Sequence, residues 1–475
     1  MNRKKFIQTI GSLTVGLIIN GCGNDNKTKS NNNLSKIDKS KTNRKKSLEP
    51  IFINKGDKEY DKCRELYNKN LDNFPNHIAK CKTENEISEV VKYAKKTNQK
   101  ISIKSGGHSF LGTSVGTNTI CINLSEMKNI EWVNDNLIKI QAGCQLSQIY
   151  KEIIPKGKII PGGSCGSVGI GGLTLGGGYG FFSRMYGLTC DNLVDVTLID
   201  GNGIITKSNK DILWACKGGN NGHLGIVADL TFKLNPAPTQ FTELNFTLNS
   251  NNQEKIILLF YKYLEITKAL PKNTFSSFFI SSKNSSIRLV ILGYYEYEEI
   301  KRSILEIADN CIIDKSNNLL KSIQKRDGSP KPLYFNNASC GYFNDSQEIR
   351  NAVYNSIPII LKSKELIYQV NSLGGAINEI GINDSAYPHR NYNYLSELQS
   401  YWNSNTKNIQ NIYNNFNIIQ NNHYEQGINS HYANYPSLGF KNFNESYYAG
   451  NLNKLKSLKN IFDPQNLFYN QQGLE

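Results

Sequence analysis

The 475-residue sequence lacks the spacings that are typical of metal sites and of common nucleotide sites. Its ten cysteines include no C-x-x-C pair and no Cys/His spacing suited to zinc, so no metal centre is expected. No Gly-x-x-x-x-Gly-Lys-Ser/Thr loop occurs, and no Gly-x-Gly-x-x-Gly stands between a strand and a helix. P-loop and Rossmann sites are therefore disfavoured, and no internal repeat indicates a solenoid.

Dense positive charge is also missing from the main part of the chain, although the net charge is +15. Residues 1–60 hold 13 Lys/Arg against 5 Asp/Glu, which leaves only +7 for the rest. No zinc-finger spacing and no RNA-recognition signature accompanies that charge. We therefore expect no nucleic-acid partner.

The N-terminus, "MNRKKFIQTIGSLTVGLIINGCGN", has the layout of a secretory signal. Three basic residues precede an apolar run of about a dozen residues, which is too short for a membrane span. The end of the run resembles a lipobox before Cys22, with the unusual Asn20, and "NRKKFIQ" resembles a weakened twin-arginine signal. We expect a lipoprotein-type signal peptide at residues 1–22 and a disordered polar tether at 23–50. A plain anchor or an ordinary cleaved signal is the alternative.

From about residue 60 the pattern predicts an α+β protein. Helical periodicity places Ile87, Val90, Val91 and Ala94 on one face. Strands are predicted in "KISIK", "NTICINL", "NLIKIQAG", "LVDVTLID", "GIITKS" and "LGIVADLTFKL", and helices in "CQLSQIYKEII" and, further on, "QEKIILLFYKYLEITKAL".

The pattern changes after Pro236 and Pro238. Longer alternating runs, such as "FTELNFTL", "SSFFISS" and "SIRLVILGYYE", predict an antiparallel sheet with helices on one face. The C-terminal "ESYYAGNLNKLKSLKNIFDPQNLF" is predicted as one helix that stops at Asp463-Pro464. We expect domains at residues 60–236 and 237–428, followed by a C-terminal segment at 429–475.

Glycine is concentrated between Gly162 and Gly180, where ten of nineteen residues are glycine. We call this segment the glycine cluster. Such a segment lets backbone N–H groups approach a ligand closely, as a diphosphate requires. Together with "SGGHS", "GSCGSVGIGGLTLGGGYGFFSRMYGLTC" and "DILWACKGGNNGHLGIV", it resembles the FAD-binding domain of the vanillyl-alcohol-oxidase/PCMH superfamily. The C-terminal segment "YYAGNLNKLKSLKNIFDPQNLFYNQQ" resembles the C-terminal segment of berberine-bridge-enzyme-like oxidases.

The resemblance implies FAD as the cofactor, in a PCMH-type two-part domain beside a substrate domain. It implies covalent attachment through His108 to the flavin 8α-methyl and through Cys165 to C6, since both are nucleophiles that can add to an electron-poor ring. Single attachment is an alternative. The other residues that it implies for FAD binding are Lys104, Ser105, Gly106, Gly107, Ser109, Gly162, Gly163, Val168, Gly169, Gly171, Gly172, Gly176, Gly177, Gly178, Asp191, Ile226, Val227 and Asn451.

Two stretches carry candidate catalytic residues. In "HYANYPSLG", Tyr435 is expected to be the base and Tyr432 to position the substrate, as in the family's Tyr-x-Asn-Tyr motif. In "YPHRNYNYLSELQSYW", Glu397 lies where relatives carry an acidic or amide residue, and Gln399 is the alternative in a shifted register. Both would share a face of a strand.

The implied function is a flavin-dependent oxidation of a hydroxylated small molecule, with a carbohydrate as the favoured substrate and oxygen as the expected acceptor. A secondary-metabolite oxidase or oxidative cyclase, a dehydrogenase with another acceptor, and a surface module that only retains flavin are the alternatives. The protein is expected to be exported, and to meet a membrane only through an N-terminal lipid.

Overall fold

The computed structural model describes residues 50–474, so the predicted signal peptide and nearly all of the predicted tether, with Cys22, lie outside the described residues. The elements up to residue 236 are, in chain order, β1 (Ile53–Asn54), α1 (Tyr60–Arg64), β2 (His77–Lys80), α2 (Glu84–Lys96), β3 (Ile101–Lys104), β4 (Ile120–Asn123), β5 (Ile130–Asn134), β6 (Leu137–Gln141), α3 (Leu146–Ile153), β7 (Lys158–Ile159), α4 (Ile170–Leu175), α5 (Ser183–Tyr186), β8 (Leu193–Ile199), β9 (Ile205–Lys207), α6 (Lys210–Cys216), β10 (Ile226–Lys233) and β11 (Asn235–Pro236).

The later elements are mostly longer. They are β12 (Phe241–Leu248), α7 (Gln253–Ala269), β13 (Thr274–Ser281), β14 (Ser285–Leu292), α8 (Glu298–Leu305), β15 (Asn310–Ser316), α9 (Leu319–Lys325), β16 (Tyr334–Phe343), α10 (Gln347–Lys362), β17 (Leu366–Ser372), β18 (Tyr394–Trp402), α11 (Ile409–Tyr424), α12 (Phe443–Tyr448) and α13 (Leu452–Phe462). The strands and helices that were predicted from the sequence for residues up to 292 are confirmed.

Between residues 50 and 236, the fold is built of two small sheets and one strand pair. The first sheet has the order β1-β2-β4-β3, with parallel pairing of β4 to β2 and to β3. The second, β5-β6-β10-β8-β9, is antiparallel, and β7 pairs with β11. Helix α2 buries the predicted face, Ile87, Val90, Val91 and Ala94, and its N-cap is the side chain of Thr83. One hydrophobic core joins both sheets to α2 and α3.

The remaining sheet has seven antiparallel strands in the order β15-β12-β14-β13-β17-β18-β16. Its even-numbered positions on β18, such as Leu398, pack into a core with α7, α10 and α11. The predicted sheet with helices on one face is therefore confirmed. Because side chains alternate along a strand, the odd-numbered positions of β17 and β18 lie on the other face, which we call the open face.

The C-terminal segment differs from the prediction of a single helix. Ala449 adopts a φ of +44°, in the left-handed region that helices do not use, so α12 ends there and a short 3₁₀ turn precedes α13. Helix α13 does end before Asp463, whose carboxylate accepts hydrogen bonds from the N–H groups of Leu467 and Phe468.

The chain from residue 50 onward forms one compact unit, so the domain limits at 236/237 and 428/429 stay predictions. Within residues 50–474, none of the helices combines the length and the apolar character that a membrane span requires.

Candidate functional site

Two glycine-rich loops touch through their backbones. One is residues 104–109, at the end of β3, and the other is residues 165–172, which leads into α4. A Cβ atom added at Gly106 would collide with the backbone nitrogen of Gly169, and one added at Gly169 would collide with Ser105 Oγ. This approach therefore requires glycine at both positions.

The contact leaves backbone donors without protein partners. Among residues 50–474, the backbone N–H groups of residues 105–109, Gly162, Gly163 and Gly169 donate no hydrogen bond to a protein acceptor. Consecutive unpaired N–H groups form a concave site for an anion, and a diphosphate is such an anion. At Gly172, an added Cβ would meet no atom within 4 Å, so space is open beside the loops. These observations fit the predicted FAD.

His108 and Cys165 lie on either side of one hydroxyl group. Ser167 Oγ is 3.0 Å from His108 Nε2 and 3.3 Å from Cys165 Sγ. The imidazole stacks on Tyr67, with ring centroids 4.0 Å apart. Burial lowers the pKa of His108 to about 4, so the ring is a neutral nucleophile near pH 7, whereas burial raises the pKa of the Cys165 thiol. The two predicted attachment residues are thus brought together.

Several side chains predicted to bind FAD have protein partners in the structure. Lys104 Nζ donates to the carbonyls of Cys63 and Glu65 at 2.8 and 2.6 Å, and Ser109 Oγ lies 2.8 Å from Thr113 Oγ1. In this loop the free groups belong to the backbone. Any contact of these residues with FAD is therefore expected through backbone atoms.

Asp191 and Asn451 also hold the fold together. Asp191 forms a two-pronged ion pair with Arg390, at 2.7 and 2.9 Å, and both side chains are buried. Asn451 Nδ2 donates to the carbonyls of Ser385 and Ala386 at 3.2 and 3.3 Å. Both residues fix the segment that leads into β18, and a cofactor contact for either one stays a prediction.

The remaining predicted residues form the framework around the loops. Ile226 and Val227 are buried at the start of β10, the carbonyl of Val168 accepts a hydrogen bond from Leu146 N, and Gly171 packs on Ala142. Gly177 and Gly178 have positive φ angles, of +121° and +80°. An added Cβ at Gly176 would collide with Asn434, which places the glycine cluster directly against the Tyr-x-Asn-Tyr stretch.

Tyr432 and Tyr435 have different hydrogen-bond environments. The Tyr432 hydroxyl oxygen accepts from Gly178 N at 2.8 Å and from Asn434 Nδ2 at 3.0 Å, in a buried position. Tyr435 stacks on Phe110, with centroids 5.3 Å apart and planes at 6°. Its hydroxyl lies 3.0 Å from that of Tyr179. Tyr432 is thus fixed to the glycine cluster, and Tyr435 is the half-buried member of the pair.

A chain of side-chain hydrogen bonds crosses the open face and ends at Tyr435. Gln399 Nε2 donates to Gln369 Oε1 at 2.9 Å, Gln369 Nε2 donates to Asn371 Oδ1 at 2.7 Å, and Asn371 Nδ2 donates to the Tyr179 oxygen at 2.9 Å. Since that oxygen accepts from Asn371, the Tyr179 proton is free to point to Tyr435. The Tyr179 hydroxyl can therefore donate to the Tyr435 oxygen, and in that orientation it stabilises a phenolate there.

Glu397 lies beside this chain on the open face, as predicted for a strand shared with Gln399. It is 5% exposed, and burial raises the pKa of its carboxyl to about 8. Burial, and then the charge of Glu397, raise the pKa of Tyr435 well above its usual value. Near pH 7 Glu397 is mostly protonated, so this repulsion of a Tyr435 phenolate is largely absent.

Sequence reasoning missed five residues of the site, namely Tyr67, Phe110, Tyr179, Gln369 and Asn371. Tyr179 stands inside the glycine cluster, where its position was a usable signal. The alternation in "LIYQVNS" marks Gln369 and Asn371 as a polar face opposite Tyr368 and Val370. Tyr67 belongs to no recognisable motif, and only the tertiary fold brings its ring into contact with His108.

Comparisons with known proteins agree with this geometry. Residues 75–209 match the family model of an FAD-binding domain, and residues 431–475 match the model described as berberine and berberine like. An FAD-linked oxidoreductase of Bacillus subtilis, YgaK, is 25% identical over 90% of this chain and 98% of its own length. A chitooligosaccharide oxidase of Gibberella zeae is 26% identical, over 86% and 89% of the two chains.

A solved carbohydrate oxidase from Microdochium nivale shares the fold. Its TM-score is 0.83 at 24% identity, over 90% of this chain and 97% of the other. This chain thus carries an FAD-binding domain and a berberine-type C-terminal segment, and along nearly its whole length it is similar to proteins named as FAD-linked oxidoreductases.

Proposed function

We propose that this protein is a covalently flavinylated oxidase that oxidises a hydroxyl-bearing small molecule, with a carbohydrate as the favoured substrate, and forms hydrogen peroxide. The observation that carries the proposal is the hydrogen-bond chain that ends on Tyr435, on a sheet face that meets the glycine cluster. Removal of hydride from an alcohol carbon requires a base for the hydroxyl proton. The chain provides one candidate oxygen that is oriented to accept it.

Attachment of the flavin is assigned to both His108 and Cys165. The neutral imidazole of His108 is ready to act as a nucleophile, and the Cys165 thiol lies across Ser167 from it. Burial raises the pKa of the Cys165 thiol, and this thiol must lose its proton before it can bond to the flavin. We therefore expect the bond at Cys165 to form after the bond at His108.

In the reaction, Tyr435 takes the hydroxyl proton of the substrate. The Tyr179 hydroxyl donates to the Tyr435 oxygen and so stabilises the phenolate that accepts this proton, and Tyr432 holds the glycine cluster in register with the site. The bound flavin supplies the two-electron acceptor, from which oxygen is reduced. Glu397 stays protonated at neutral pH and sets the pH range in which Tyr435 works.

A carbohydrate is favoured by two features. The chitooligosaccharide oxidase relative acts, by its name, on an oligosaccharide. The open face also offers amide groups at Gln369, Asn371 and Gln399 beside the stacked rings of Phe110 and Tyr435. Amides that bind hydroxyl groups and aromatic faces that cover apolar ring surfaces suit a sugar.

An anaerobic screen tests the proposal. Sugars and simple alcohols are added to the purified yellow protein, and loss of the oxidised flavin band is followed; air is then admitted and peroxide is measured. We expect bleaching by at least one oligosaccharide and rapid recovery of the band with stoichiometric peroxide. Bleaching without recovery in air would indicate a dehydrogenase with another acceptor, and no bleaching by any hydroxylated compound would refute the proposal.

We further propose export of the protein, with lipid attached at Cys22. The support is the basic start, the short apolar run and Gly21-Cys22 in the sequence.

A further inference from the structure

The loop that leads from α9 into β16 reaches the residues that are predicted to hold the flavin. It comprises residues 326–333, and we call it the strap. Near its start, Asp327 Oδ1 accepts a hydrogen bond from the backbone N–H of Gly166, the neighbour of Cys165. A Cβ atom added at Gly328 would lie 3.3 Å from Cys165 Sγ, so the strap packs directly on the thiol. A connection between elements of the later part of the chain thus covers Cys165.

Both ends of the strap are fixed. At its start, the buried guanidinium of Arg326 pairs with carboxylates from strands β12 and β15. At its end, Leu333 N donates to the carbonyl of Tyr67 at 2.9 Å, and the Tyr67 hydroxyl donates to the carbonyl of Ser329 at 2.9 Å. Tyr67 is the residue whose ring stacks on His108. The strap therefore contacts the surroundings of both predicted attachment residues.

Gly166 is held between the strap and helix α3. Its carbonyl accepts a hydrogen bond from Ser147 N at 2.9 Å, and its N–H donates to Asp327. A Cβ atom added at Gly166 would collide with the side chains of both residues, so this close contact requires glycine. Gly166 is buried, and a buried N–H that loses its acceptor is costly. Without the Asp327 carboxylate, the loop that carries Cys165 is therefore expected to shift.

We propose that Asp327 is a positioning residue for the covalent attachment of the flavin at Cys165, and that it acts through its hydrogen bond to Gly166. This proposal rests on the proposed function, since it concerns the second bond that is assigned there. In that step the Cys165 sulfur bonds to flavin C6, and the thiol proton and the C6 proton pass to solvent. Oxygen takes the two electrons that remain in the ring and becomes hydrogen peroxide. The sulfur must first lie within about 3–3.5 Å of the ring carbon.

The hydrogen bond of Asp327, and not its charge, is the feature that assists attachment. Burial raises the pKa of the Cys165 thiol, and the negative charge of Asp327 adds to that increase. The charge therefore opposes loss of the thiol proton. An amide at position 327 would keep an acceptor for Gly166 N and remove the opposing charge, so asparagine and alanine at this position separate the two effects.

Attachment is measured by mass spectrometry of protein that is isolated without oxygen and then exposed to air. Without oxygen, attachment stops after the first bond, because the electrons of that step stay in the ring. Samples taken after admission of air are denatured in iodoacetamide and digested, so that flavin-bound and alkylated Cys165 are counted separately. In Asp327→Ala, flavin should stay bound at His108, and attachment at Cys165 should be about 10- to 100-fold slower than in the wild type, as for a reactant displaced by about 1 Å.

Two further variants assign the effect to the hydrogen bond. Asp327→Asn should attach the flavin at Cys165 at least as fast as the wild type. Asp309→Ala is the matched control, because Asp309 is exposed and its carboxylate accepts a backbone hydrogen bond from Asn249 N at 2.6 Å; it should change neither bond to the flavin. The proposal is overturned if Asp327→Ala attaches at the wild-type rate, if it loses both bonds equally, or if Asp327→Asn is as slow as Asp327→Ala.

The wild-type protein separates this inference from the proposed function. If it carries flavin only at His108 after exposure to air, double attachment fails and the role of Asp327 fails with it. If the wild type and Asp327→Ala become doubly attached at the same rate, double attachment stands and only this inference fails. Thermal unfolding and total flavin content check the fold of each variant. If Asp327→Ala does not fold, Asp327→Ser replaces it with the same expectation, because its side chain is too short to reach Gly166 N.

Discussion

The hydroxyl oxygens of Tyr179 and Tyr435 lie 3.0 Å apart, at the end of a chain in which three side-chain amides donate in the same direction. Tyr179 comes from the glycine cluster and Tyr435 from the C-terminal segment. Their contact joins the predicted cofactor loop to the predicted catalytic motif, and it allows the Tyr179 hydroxyl to donate to the Tyr435 oxygen. The proton chemistry can be tested on this pair.

Tyr435→Phe removes one oxygen and keeps the stacking on Phe110. Flavin content should be unchanged, and anaerobic flavin reduction should slow by about 10²–10⁴-fold, as for loss of a general base. Stopped-flow absorbance measures this rate, and reoxidation by oxygen serves as the control because it does not use the substrate base. A variant that reduces its flavin at the wild-type rate would transfer the role to Glu397.

The pH dependence of Glu397→Gln distinguishes the two candidate bases. If Tyr435 is the base, ionisation of Glu397 above pH 8 disfavours the phenolate in the wild type. The rate of flavin reduction in Glu397→Gln, relative to the wild-type rate, should therefore increase as pH rises through 8. If Glu397 is the base, the variant is slow at every pH, and the wild-type rate rises through pH 8. Flavin reduction between pH 6 and 10 measures both outcomes.

The same carboxyl should make stability depend on pH. Its pKa is about 8 in the folded protein and about 4.3 in the unfolded chain, so the folded state binds more protons between these values. The free energy of unfolding should therefore fall as pH rises from about 4 to 8, by on the order of 3–5 kcal/mol from this group. Urea unfolding of the wild type and Glu397→Gln should show the difference, and parallel pH curves would refute it.

Attachment of FAD is tested by precipitation in acid. The wild-type protein should stay yellow in the pellet, and His108→Ala/Cys165→Ala should release all its flavin into the supernatant. Each single variant should retain the flavin through the other residue. Ser167→Ala is a useful comparison, since it removes the hydroxyl between the two nucleophiles and should slow flavin incorporation without preventing it.

Asp191→Asn should act on the fold more than on the cofactor. It leaves the buried Arg390 guanidinium without its carboxylate, and breaking a buried pair in this way costs about 3–5 kcal/mol. We expect a lower midpoint of thermal unfolding with little change in flavin absorbance of the folded fraction. Loss of flavin without loss of stability would instead indicate a direct contact with FAD.

Cys22→Ser tests the proposed membrane attachment of the protein in its native host. The wild type should partition with membranes and carry lipid on Cys22, and the variant should appear in the soluble fraction. Mass spectrometry of the N-terminus identifies the modification. An unmodified Met1 in the wild-type protein would exclude processing at this site.

The sequence allowed the cofactor loops to be predicted because they depend on local backbone chemistry. Glycine at positions 106 and 169 is required by the close approach of two backbones, and such a requirement is visible as a motif. Likewise, the buried face of α2 follows directly from helical periodicity.

The parts that escaped prediction depend on contacts between distant segments. Arg390 and Asp191 are 199 positions apart, and no local pattern indicates that one carboxylate is already paired. The break at Ala449 was missed for another reason, since alanine favours helices and only its observed φ shows the interruption.

Strand β18 contributes to two environments at once, through alternate residues. Leu398 is fixed by a packed core, whereas Glu397 and Gln399 face a polar surface that is shared with β17. Substitutions at Glu397 and Gln399 can therefore alter recognition without disturbing the hydrophobic packing around Leu398, and the hydrogen bonds between strands keep the backbone in place. New substrate preferences can thus arise by exchange of side chains on an unchanged scaffold, one position at a time.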